Sequence, residues 1–207
     1  KLYLVFFFWT FITYGQTDCV NTKEFKSIQE HANILTKYFN QINSTSGNDK
    51  LEFEKLFFCA FPKSFVKMKE LFGYENGISA PLYDYPLGAN IIKKFEKLNS
   101  IEKESYYNKY IEICINGIWE ADNIRAGFGF RSKILKDTNN ACRVLIKRTD
   151  KEIVSVFRFF YDGPHPKNNQ DLYDELYKTL SNKNEKLSRL LKFSFDQLKR
   201  ENDGHEH

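Results

Sequence analysis

A chain of 207 residues, 42% hydrophobic and 28% charged, is long enough to bury a real core. That balance excludes a disordered tail and a polytopic membrane protein. Five Pro and 10 Gly exclude collagen-like and loop-dominated architectures, and a formal charge of +4 is too small an excess to imply a nucleic-acid partner.

The chain opens KLYLVFFFWTFITYG. A basic residue, a short apolar run and small residues before a cut after Gly15 form the pattern of a secretory signal over residues 1–15. The run is shorter than the roughly 20 apolar residues that a spanning helix needs. Gln16 and Asp18 stand where lipoprotein processing requires Leu and Gly or Ala, so Cys19 is not expected to carry a lipid. Export puts Cys19, Cys59, Cys114 and Cys142 in an oxidising compartment, where up to two disulfides in any of three pairings are open. Cys59 and Cys114 fall inside apolar helical patterns, where a free thiol behaves as a small hydrophobe.

From there the periodicity is helical, and residues 16–200 read as one all-α domain. Phe25, Ile28, Ala32, Leu35 and Phe39 share a face, with Thr22 as the expected cap. Asn43–Asp49 reads as a polar loop. Phe53, Leu56, Phe57 and Ala60 form a second helix, which Pro62 stops. Ser64 caps a third through Phe65, Met68 and Phe72, with Gly73 as its expected left-handed terminator. Tyr74–Pro86 is a turn-rich connection. A fourth helix carries Ile91, Phe95 and Leu98. A fifth, opened by Ser100, carries Tyr107, Tyr110, Ile111, Cys114 and Ile118.

Trp119–Leu135 reads as a sixth helix weakened by Gly127 and Gly129. A seventh starts at Thr138 or Asn139. Residues 144–160 are rich in β-branched and aromatic side chains, which favours a hairpin. Thr149 and Glu152 are spaced as a capping box, however, and Ile153, Val156, Phe157 and Phe160 keep the three-four-seven spacing, so helix is preferred. Leu172–Leu180 and Leu187–Leu198 give two more helices, for a compact irregular stack of about eight to ten. Residues 201–207 read as a frayed tail.

Few residues point to chemistry. Asp162 and His165 lie in the rigid Asp-Gly-Pro-His-Pro turn, as an acid–base pair, as a contact point or simply as a helix stop. Glu120 follows Trp119, and an acid beside an indole can have its pKa raised, although acids also favour a helix start. His31 falls beside an apolar stripe and reads as boundary packing. His205 and His207 lie in the tail. No zinc-ligand spacing, phosphate loop or nucleophile elbow occurs, so neither a metal nor a cofactor is expected. Lys183, Lys186, Arg189, Lys192, Lys199 and Arg200 recur on the last helix opposite its Leu/Phe stripe. Such a face suits an acidic protein or, less well supported, an anionic membrane surface.

Leu56–Phe58, Phe61–Phe65, Glu70–Tyr74, Ala80–Tyr83 and Asp162–Pro166 together resemble uncharacterised exported all-helical proteins of Bacteroidetes-type bacteria. The resemblance covers about Leu56 to Pro166. It implies an envelope or periplasmic setting and brings no catalytic residues. The expectation is an exported, non-enzymatic protein-binding module, such as an immunity protein that neutralises a secreted toxin. Trp119, Asp162, His165, Lys186 and Arg189 are its candidate contacts. The alternatives are an envelope hydrolase using Asp162, His165 or Glu120, and a carrier of an apolar ligand.

Overall fold

The computed structural model describes residues 19, 25–118, 124, 128–163 and 169–203, with residues 202 and 203 described by their backbone alone. The expected signal, Thr22, Trp119, Glu120, His165 and the final histidines lie outside the described residues.

Among the described residues the fold is all-α. They form ten helices, and the one sheet is a two-stranded hairpin. Helix α1 spans Ile28–Ser44 and α2 Gly47–Ala60. The expected loop at Asn43–Asp49 shrinks to Thr45 and Ser46, because both helices run into it. Ser27 caps α1 by accepting from the Glu30 N–H, so Phe25 precedes the helix. Helix α3 spans Phe65–Phe72 behind the Ser64 cap. Gly73 ends it in an extended conformation, at φ −87° and ψ 174°, and not in the left-handed one. Strands β1 (Tyr74–Glu75) and β2 (Ile78–Ser79) pair antiparallel inside what reads as a turn-rich connection.

Helix α4 covers Gly88–Glu96 and α5 Lys103–Cys114. Glu102, not Ser100, opens α5: its carboxylate accepts from the Glu104 and Ser105 N–H groups. Ser100 instead donates to Glu54 at 2.6 Å. Helix α5 also stops earlier than expected. Asn116 turns left-handed at φ 57°, and Ile118 is exposed instead of joining the apolar stripe.

Helix α6 spans Phe130–Lys136, α7 Thr138–Leu145, α8 Asp150–Tyr161, α9 Gln170–Ser181 and α10 Glu185–Asp203. Of the expected sixth helix, Ile124 is helical, Phe128 and Gly129 are not, and helix runs again from Phe130. The capping box on α8 forms as read: Thr149 Oγ1 accepts from the Glu152 N–H, and the Glu152 carboxylate accepts from the Thr149 N–H at 2.9 Å. Helix α10 continues to Asp203. Arg158 donates to both Glu201 oxygens, at 3.0 and 2.5 Å, so that part of the expected tail is held.

Helix α5 contacts α3, α7 and α8, while α8 lies along α10 and α10 along α9. Tyr106, Tyr107, Lys109, Tyr110, Ile111, Ile113 and Cys114 are all buried, so α5 is covered around most of its circumference, and the row of Glu104, Asn108 and Glu112 reaches solvent. Aromatic rings knit the core together. Phe61 stacks on Phe95 at 4.2 Å, Tyr110 on Phe130 at 4.8 Å and Tyr173 on Phe195 at 4.3 Å. Such pairs add about 0.5–1.5 kcal/mol each beyond area burial.

Candidate functional site

Two features stand apart from the packed core: the outer face of α10 and a cavity at the end of α2.

Helix α10 is amphipathic. Leu187, Leu190, Leu191, Phe195 and Leu198 are buried against α8 and α9. Its outer face carries Arg189, Lys192, Phe193, Asp196 and Arg200, one helical turn or less apart. Phe193 is 48% exposed in the middle of this face. Asp196 pairs with Lys192 at 2.6 Å and with Lys199 at 3.5 Å, and both interactions hold its carboxyl below the usual range. Arg189 precedes Phe193 by four residues on this face, and Arg200, whose Nε donates to Asp196 O at 3.2 Å, follows it by seven. Lys186 turns away from this face and pairs with Asp150 at 2.7 Å. Of the two basic contacts expected on this helix, Arg189 belongs to the exposed patch and Lys186 to a bridge with α8.

The end of α2 is unusual in its capping. Phe57 O accepts from the Phe61 N–H in the ordinary way. Residue 62 is proline, so Phe58 O has no helical donor. Lys109, reaching from α5, donates to the carbonyls of Phe58 and of Phe61, the latter at 2.9 Å. Its ammonium also lies 4.4 Å from the Phe58 ring centroid. Burial, with a smaller push from the charge on Lys63, lowers the Lys109 pKa to about 7. Ala60 O is met by His31 Nε2 at 2.6 Å. A carbonyl can only accept, so this nitrogen carries the proton. Burial holds the imidazole below its usual value while the Ala60 carbonyl pulls the other way. The Phe25 ring stacks on His31 at 3.9 Å.

Beside these groups lies a cavity of about 460 Å³. Phe25, Ile28, His31, Phe61, Pro62 and Lys63 line it, with Cys59 at its wall. Cys59 is bonded to Cys19, so it is a cross-link and not the free core thiol that its apolar context suggests. Cys114 and Cys142 are free and buried, and burial raises both thiols well above their usual range. Neither is primed as a nucleophile.

Asp162 closes α8, its backbone N–H donating to Arg158 O at 2.8 Å. His165, Glu120 and Trp119 lie outside the described residues. Among the described residues no cluster of three or more His, Cys, Asp or Glu could hold a metal ion, and no helix is long and apolar enough to cross a membrane. Sequence reasoning missed Phe193, Lys109 and the His31 bond to Ala60. The signal for Lys109 was Pro62: a proline just past a helix end leaves a carbonyl that some side chain must satisfy.

No protein-family model, curated protein or solved structure matches this chain.

Proposed function

We propose that this chain is an exported, non-enzymatic protein-binding module whose contact surface is the outer face of α10. One observation carries the reading: a large aromatic side chain, Phe193, stands exposed between two arginines on a well-anchored helix. Aromatic and Arg side chains are enriched among the residues that carry most of an interface's binding energy, and here they share one exposed helix face. The complementary partner offers an apolar socket ringed by carboxylates, as a secreted toxin met by an immunity-type protein would. Export is supported by the signal-like start and by the Cys19–Cys59 cross-link, since such bonds persist in oxidising compartments.

The test is affinity capture from the source cells with the wild-type chain and with an Arg189→Glu/Phe193→Ser variant. The reading expects one stoichiometric protein on the wild type, lost from the variant while its thermal unfolding is unchanged. Equal capture by both chains, or a partnerless wild type, would contradict it.

A further inference from the structure

We propose that the cavity at the end of α2 is a binding site for a small apolar carboxylate, a compact aryl or branched-alkyl body bearing one negative charge. It lies apart from the α10 face and does not depend on the reading of that face. At about 460 Å³ it falls within the usual size of small-ligand sites. Its wall is preformed. Phe61 is packed against Phe95, Pro62 is fixed by its ring, and the Phe25 ring is stacked flat on His31. These groups offer an apolar slot for a ring or branched chain. The lining side chains that bear charge among the described residues are lysines, Lys63 and Lys67, and none is acidic.

Lys67 spends its charge on Glu70, at 2.6 Å. Lys63 is exposed at the rim, and among the described residues no carboxylate pairs with it. Three backbone carbonyls that would repel an anion at this helix end are already engaged, Phe58 and Phe61 by Lys109 and Ala60 by His31. The result is a greasy slot with a cation at its mouth and three of the carbonyl dipoles beside it covered. A neutral apolar molecule would leave Lys63 unused. A cation would meet Lys63 directly.

The same chemistry occurs in a free acid and in the C-terminal residue of a peptide, and the experiment separates the two. Calorimetric titration of the disulfide-bonded chain would use 3-phenylpropionate, 3-phenylpropionamide and the tripeptide Gly-Gly-Phe with a free or amidated end. Saturable binding of at least one acid is expected, with the matching amide about fivefold weaker or worse. Stronger binding of the phenylpropionate names a free acid as the source, and stronger binding of the peptide a chain terminus. Lys63→Met should reduce the acid to the affinity of its amide. Because Lys63 is exposed, this variant keeps the fold, as unchanged thermal unfolding would verify. An Ile28→Phe variant, which shrinks the slot, should weaken acid and amide alike. Equal affinity for acid and amide in the wild-type chain, or no saturable binding of either acid, would overturn the proposal.

Discussion

Pro62 has no N–H, and the consequence reaches from one residue to the centre of the protein. The orphaned Phe58 carbonyl takes a donor from Lys109, the one charged side chain buried within α5. Lys109→Met would keep the volume and remove both hydrogen bonds. It should lower stability by about 1–3 kcal/mol, the cost of leaving buried carbonyls unpaired. The pH response has a definite sign. The Lys109 pKa is about 7 in the folded chain and well above that when unfolded. Between those values the unfolded state binds more protons, so stability rises with pH from about 7 toward 10. Denaturant unfolding at several pH values should show this rise in the wild type and lose it in Lys109→Met. None of this was legible from hydrophobic pattern alone. Lys109 sits between Asn108 and Tyr110 in a segment whose polar residues otherwise read as a solvated face.

At the scale of single elements, the sequence was most legible where local chemistry is self-contained. The capping box at Thr149 and Glu152 decides helix over hairpin for α8 because both hydrogen bonds form within four residues. Thr149→Ala should cost about 1 kcal/mol, the usual value of a lost cap, measurable by denaturant unfolding. The Asn76-Gly77 pair was equally local and went unread. Both residues adopt positive φ, 51° and 81°, as a two-residue hairpin turn of the primed type requires. Helix ends were less legible, because their caps borrow side chains at offsets that vary: Glu102 caps α5 from within two and three residues, while Ser100 is drawn off to Glu54. Gly88 shows a constraint that no pattern carries. A Cβ there would lie 2.3 Å from the Leu82 carbonyl oxygen, which is main chain and cannot swing aside. Gly88→Ala should therefore destabilise by roughly 1–3 kcal/mol, as overpacking does, despite the better helix propensity of Ala.

For the whole molecule, the all-α class followed from periodicity, but the order of packing did not. Nothing in the spacing of Tyr106, Tyr107 and Tyr110 announces that α5 is buried around most of its circumference, because that depends on which helices meet it. The cysteine pairing was equally open until Cys19 and Cys59 were seen together across a separation of 40 residues. A loop of that length restricts the unfolded chain by about 3–4 kcal/mol in the chain-entropy account. Reduction, or a Cys19→Ser/Cys59→Ser variant, should lower unfolding stability by up to that amount. The candidate interface was half legible: the basic face of α10 shows in the sequence, whereas the exposure of Phe193 shows only in the fold. Ile78, 72% exposed on the hairpin, is a matched control for an apolar side chain in solvent without flanking arginines. The most direct test of the account is the affinity of the captured partner for the wild type, Phe193→Ser and Ile78→Ser. The account predicts a loss of at least tenfold, about 1.4 kcal/mol, for Phe193→Ser alone. An unchanged affinity for Phe193→Ser, or a loss confined to Ile78→Ser, would contradict it.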